Sequence, residues 1–277
     1  MPLGVNRTLQ LLASIALIVG SGWEAPILAQ QPTAASGLIR ARGIEVETSR
    51  LVTLLGSEAT EPAQVFAVPI ERLLTLAKQA DSGVRVEESE FRLQNGRLRV
   101  DGMGSDKANY VLVDLASGTM EWVQPKHKAH IEWRKPPAPA RSPTPLPQLE
   151  PLQKEATING FRTRGYRLQT PAGTAWLWIA DEPRALAPVL KSLAELQTQI
   201  KANPESFDQV AAVRGMHEGV LVRLQVLTPK QYIVRELVSF TPKTWSAADF
   251  RVPTGSKAIP VERASARPQA GSCHNCE

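Results

Sequence analysis

Alternation of apolar and polar positions runs through the middle of the chain and predicts a series of short strands. Residues 84–93 and 97–102 flank Asn95-Gly96, a strong hairpin signal because both central residues of that tight turn need positive φ. Residues 110–115 and 119–124 flank Ala116-Ser117-Gly118, and 127–133 follows Pro125-Lys126. Further along, 161–169 and 174–181 flank Thr170-Pro171-Ala172-Gly173, and 219–227 with 231–240 form a last hairpin. Strands joined by such tight turns make an antiparallel meander. Residues 43–55, rich in Val, Thr and Ile, read as a first long strand, and 249–261 as a final extended piece.

Two stretches carry the helical period instead. Over 69–80, Pro69 stands at the start, Ile70, Leu73, Leu74 and Ala77 share one face, and Asp81-Ser82-Gly83 stops the run. Over 187–201, Leu190, Leu193, Leu196 and Ile200 form a stripe that Asn203-Pro204 ends. Residues 136–151 hold seven prolines in sixteen positions and cannot supply ladder hydrogen bonds. They form an extended loop within one domain, or a preformed docking segment for a partner.

The strand faces define the class. Val220, Val222, Leu224 and Val226 share one side against Arg223 and Gln225, and His127, Ala129, Ile131 and Trp133 one side against Lys128, His130, Glu132 and Arg134. These strands have one wet face. By contrast, Trp176 and Trp178 oppose Ala175, Leu177 and Ile179, so that strand is dry on both sides, as is 110–115. A mostly one-sided sheet must be covered. The expected fold is therefore mostly β (α+β): a curved antiparallel sheet, an open half-barrel, covered by about two helices. Such a shape leaves a partly filled apolar concavity, and Trp122, Trp176 and Trp178 are the residues expected to line it as a site for a lipid or apolar ligand. The competing reading makes them ordinary filling of a β core.

The first 29 residues stand apart. A basic start with Arg7, an apolar run over 9–22 and Ile27-Leu28-Ala29 give the three-part layout of a secretory signal, with a core too short to span a bilayer. The expectation is export to the periplasm, with secretion to the outside as the alternative and no transmembrane span in the mature chain. The divisions that follow are a signal peptide at 1–29, a flexible lead-in at 30–42, a single β-rich domain at 43–262 and a polar tail at 263–277. The formal net charge of +5 is mild and its arginines are scattered through strands, which argues against nucleic acid.

No catalytic constellation is visible, and a non-enzymatic role is expected. There is no Gly-x-Ser-x-Gly, no His-Glu-x-x-His and no phosphate-cradling glycine loop. His127 and His130, read as three apart on one strand, point to opposite faces. The tail holds both cysteines of the chain in Cys273-His274-Asn275-Cys276-Glu277. No histidine follows the second cysteine, which excludes c-type haem attachment. Cys273, His274 and Cys276 could hold copper or zinc or exchange disulfides; a local Cys273–Cys276 disulfide and two idle cysteines are the alternatives.

Several segments together resemble an exported bacterial family of unknown function. They are Arg97-Leu98-Arg99-Val100-Asp101, Tyr110-Val111-Leu112-Val113-Asp114 leading to Trp122-Val123-Gln124-Pro125, Ala156-Thr157-Ile158-Asn159-Gly160-Phe161, Ala175 to Asp181, and Ser246-Ala247-Ala248-Asp249-Phe250-Arg251-Val252-Pro253. The likeness covers about 43–261, with the helix at Pro69 and the proline-rich loop as departures. That family is similar in fold to the LolA-like periplasmic lipoprotein carriers, so the resemblance implies carriage of an apolar or lipid ligand. It supplies no catalytic residue. Partnership with another envelope protein, as an interaction module, is the second expectation, and metal or redox handling by the tail the third.

Overall fold

The computed structural model describes residues 36–56, 61–79, 81–102, 106–134, 148–187, 189–190, 211–212, 214–215 and 219–259. Within them, twelve strands form a single curved, unclosed sheet, a mostly β architecture with three helices. The strands are β1 (Gly37–Glu47), β2 (Val84–Gln94), β3 (Arg97–Asp101), β4 (Tyr110–Asp114), β5 (Thr119–Gln124), β6 (Ala129–Arg134), β7 (Glu150–Ile158), β8 (Phe161–Thr170), β9 (Gly173–Ala180), β10 (Val220–Leu227), β11 (Gln231–Pro242) and β12 (Lys257–Ile259). Their spatial order is β12-β6-β5-β4-β3-β2-β1-β11-β10-β9-β8-β7. Two meanders thus meet where β1 pairs with β11, and only β12 runs parallel to its neighbour.

Local chemistry explains the hairpins. Asn95 and Gly96 adopt φ of 50° and 75°, the doubly left-handed turn that joins β2 to β3. The first strand departs from expectation. β1 begins at Gly37, inside the stretch read as a lead-in, and ends at Glu47; Thr48–Leu55 is a helix, α1. Leu51 and Leu55 are buried one helical turn apart, on the stripe that a helix turns to the core. The helix predicted at Pro69 is present as α3 (Ile70–Ala77), preceded by an unforeseen α2 (Pro62–Ala67), whose N-terminus is set by a Glu61–Gln64 capping box and Pro62. Of the second helix, predicted over 187–201, Ala187, Val189 and Leu190 are helical and the rest lies outside the described residues. The signal segment and the tail with Cys273, His274 and Cys276 also lie outside them.

The sheet buries both faces. On the first, Ile39, Phe91, Leu93, Leu98, Val100, Val111, Leu177 and Leu224 pack with Leu186, Val189, Leu190, Ala211 and Ala212. On the second, Ile44, Val46, Trp176, Tyr232 and Val234 pack under α1–α3 through Leu51, Leu55, Phe66, Ile70 and Leu73. A smaller cluster of Tyr110, Leu112 and Val123 meets Val252.

The face expected to be wet on β10 is not. A bulge at Val222 breaks the alternation, so Leu221 is buried, and Gln225 is 2% exposed under α2. Arg223 turns toward Glu236, itself buried, with Nη2 2.5 Å from Oε1; Arg42 closes on the other oxygen at 3.7 Å and reaches Glu88 at 3.2 Å. Register places Glu88, Arg42, Glu236 and Arg223 in one cross-strand row over four strands. The scattered strand arginines of this row are thus partners of carboxylates on the next strand.

Candidate ligand cleft

After β11 the chain crosses the sheet as an extended strap, 243–259, that ends in β12 beside β6. Trp245 fastens its start. The indole Nε1 donates to Gly37 O at 3.0 Å, the Trp245 backbone N donates to Gln94 Oε1 at 2.7 Å, and Lys243 and Arg92 cover the ring at 4.2 and 5.0 Å. The short helical turn Ala247–Phe250, capped by Ser246 and Asp249, comes next. Arg92 pairs with both Asp249 (3.3 Å) and Asp101 (3.2 Å). Arg99 donates to Asp249 O at 2.9 Å and lies 3.9 Å over the Tyr110 ring. Tyr110 donates to Arg251 O at 3.4 Å.

The strap stands off from β3–β6 and leaves a cleft of about 450 Å³, within the range of small-molecule sites. Leu112, Phe250 and Val252 give it an apolar side. Arg97, Asp114, Ser117, Thr119, Glu121, Glu132 and Arg251 give it a polar one. Glu121 and Glu132 are direct partners in the β5–β6 ladder, so their side chains leave the same face side by side. Burial pushes the Glu121 carboxyl above its ordinary range; the nearby His130 opposes this and the neighbouring Glu132 adds to it. Asp114 is held below its ordinary range: burial works against ionisation, but hydrogen bonds from Ser117 and Ala116 and the Arg97 charge prevail. Arg97 donates to it from Nε at 3.2 Å.

The predicted tryptophan site does not assemble. Trp176 and Trp178 lie on the second face, opposite Gln225 and Arg223 of β10. Trp122 lies opposite Val111 and Ile131, on the first face. Trp176 is 9% exposed, its ring 5.1 Å from that of Phe66 and covered by Lys154 at 4.8 Å. It is core. Trp178 is half-buried and donates from Nε1 to Gln225 Oε1 at 3.2 Å, while Gln225 Nε2 donates to Phe66 O and to the Tyr232 hydroxyl at 2.9 Å each. Trp178 thus packs against both core clusters, Trp176 belongs to the second and Trp122 packs against the first. His127, read as a strand residue, sits in the helical turn Pro125–His127 ahead of β6. Among the described residues no group of three His, Cys, Asp or Glu side chains is placed to hold a metal, and no helix is long and apolar enough to cross a membrane.

Comparison with known proteins adds little. No family model matches the chain, and no curated protein matches it as a relative. Among solved structures, an uncharacterized conserved protein from Thermus thermophilus aligns over 91% of this chain and 98% of its own, at 9% identity and a TM-score of 0.37. PNGF-II aligns over 81% of this chain but 31% of its own, at 7% identity and a TM-score of 0.33. Likenesses at that level bear on neither fold nor function.

Proposed function

We propose that this is an exported, non-enzymatic ligand-binding protein of the cell envelope, which shelters a small amphiphile with a cationic head between strap and sheet. The observation that carries the reading is the composition of the cleft. An apolar side of Leu112, Phe250 and Val252 suits a hydrocarbon body, and the adjacent carboxyls of Glu121 and Glu132 suit a positive head. Export is supported by the signal layout of the first 29 residues. This keeps the carrier expectation and relocates it, since the three tryptophans do not converge. The envelope interaction module is less favoured at the β7 edge, where Pro151, a register break before Glu155 and the charges of Glu150, Lys154 and Glu155 discourage strand addition.

Isothermal titration with n-hexylamine and with hexanoate at neutral pH tests the reading. The amine is expected to bind and the carboxylate not, and the E121Q/E132Q double variant is expected to weaken the amine by about tenfold or more. Equal binding of both probes, binding of neither, or a double variant that keeps full affinity would overturn it.

A further inference from the structure

We propose that one end of the sheet is a docking surface for an anionic lipid bilayer, formed by Lys107, Lys126, Lys128 and Lys257. Three segments remote in sequence supply it: the connection between β3 and β4, the Pro125–Lys128 turn between β5 and β6, and the start of β12. Tyr110 pairs with Val123 and Lys257 with Ala129, so these segments leave the sheet at the same end of their strands. Asp106 ties the first two together. Its carboxylate accepts from the Ala108 backbone N–H at 3.0 Å and pairs with Lys126 Nζ at 3.0 Å. On the other side the Lys257 N donates to Lys128 O at 2.8 Å. Lys128 itself closes the turn at a φ of 46°, its N donating to Pro125 O at 3.0 Å. The four lysines are thus mounted on backbone that hydrogen bonds hold in place.

Charge and residue type together indicate the partner. All four lysines are exposed, as is His127 beside them. Asp106 offsets one of the four, which leaves an excess of three positive charges here, against a formal +5 for the whole chain. Asp101, the next acid along β3, is already shared by Arg92 and Arg99. On the strands, the cations that meet carboxylates are arginines, as in Arg40–Glu90, Arg162–Glu155 and Arg164–Asp181. At this end they are lysines, and among the described residues Lys107, Lys128 and Lys257 pair with no carboxylate. The planar fork of arginine suits one oriented carboxylate or phosphate, whereas lysine is a hydrated point charge on a flexible stem. Point charges spread over one end of a sheet match a continuous layer of anionic headgroups, to which each adds its own attraction. The cleft is lined from the opposite end of β4 and β5, through Asp114, Ser117 and Thr119, so contact through the lysines leaves it clear.

Cosedimentation of the full chain with lipid vesicles tests this. Binding is expected to vesicles of phosphatidylcholine and phosphatidylglycerol in equal parts, not to phosphatidylcholine alone, and is expected to fade when salt is raised to about 0.5 M. The K107Q/K128Q/K257Q variant is expected to bind about tenfold or more weakly. The control R162Q/R164Q/R184Q removes as many charges from β8 and the segment after β9, from side chains 53% to 83% exposed, and is expected to bind as the parent does. All six side chains are exposed, so both variants are expected to keep the thermal midpoint of the parent. Equal binding to the two kinds of vesicle, full binding by the lysine variant, or an equal loss in both variants would overturn the proposal. So would lysine-dependent binding of a mixed-sequence DNA duplex without binding to vesicles, which assigns the surface to nucleic acid.

Discussion

Gln225 shows how a polar residue can be as firmly interior as any leucine. It is 2% exposed and joins three elements through one amide: the α2 carbonyl of Phe66, the Tyr232 hydroxyl on β11 and the Trp178 indole on β9. Burial holds the Tyr232 hydroxyl protonated far above its ordinary range. Substitution Q225L roughly keeps the volume but strands at least two of these partners, and is expected to cost about 2–4 kcal/mol in urea unfolding. W176A, at the Phe66 contact, is expected to cost about 3–5 kcal/mol, the loss for a packed aromatic, where a groove-lining ring would lose less. Glu121 acts in the other direction. Its folded-state pKa is raised, so the stability it contributes is complete below the ordinary carboxylate range and is lost as pH rises through the raised value. The E121Q variant removes that dependence, and its thermal midpoint relative to the parent is expected to improve from about pH 4 to about pH 8. A midpoint difference constant over that interval would show that Glu121 is ionised without penalty.

Elements differ in how far local sequence determines them. The hairpins with a turn signal are legible, because Asn95-Gly96 or Thr170-Pro171-Ala172-Gly173 imposes its geometry without outside help. The end of β1 is not, because Thr48, Val52 and Thr53 favour a strand locally while burial of Leu51 and Leu55 with Leu73 requires a helix. β7 is hidden for a related reason: its proline, its charges and its irregular register are the marks of a protected edge and obscure the alternation. Pairs across strands are harder still. Glu121 and Glu132 belong to different strands, and only the β5–β6 register makes them neighbours, so no spacing rule reveals the cleft. The tryptophan grouping fails in the same way, since alternation gives the two sides of one strand but not which sides of distant strands coincide. The β1–β11 junction offers a test of such long-range dependence. A Cβ at Gly43 would stand 2.7 Å from the Arg235 Nη1, and Arg235 is 3% exposed, lying over the glycine and paired with Glu45. G43A is expected to cost about 1–3 kcal/mol, and R235M, by shortening the obstructing chain, to recover part of it in a double-mutant cycle. Strict additivity would show that the two residues do not compete for space.

One half of the sheet, from β6 to β1, is tied together by a segment that contributes only three residues to it. The strap 243–259 touches β1 through Trp245, β2 and β3 through Arg92 and Arg99, β4 through Tyr110 and β6 through β12, so it ties together strands that would otherwise communicate only neighbour to neighbour. It also supplies Phe250 and Val252 to the cleft, which makes the site dependent on a piece of chain remote in sequence from the glutamates it faces. Surface ion pairs of the kind Arg92 makes are individually worth little. The buried Phe250 and the half-buried Trp245 and Val252 therefore carry most of the attachment. Two truncations separate these contributions. Ending the chain after Glu262 removes a polar tail and both cysteines, and is expected to leave the thermal midpoint nearly unchanged. Ending it after Lys243 removes the strap, and is expected to lower the midpoint by more than about 5 °C and to abolish hexylamine binding even at temperatures where the sheet remains folded. If the shorter chain stays folded and binds the amine as the parent does, the strap is neither a tie nor a wall of the site.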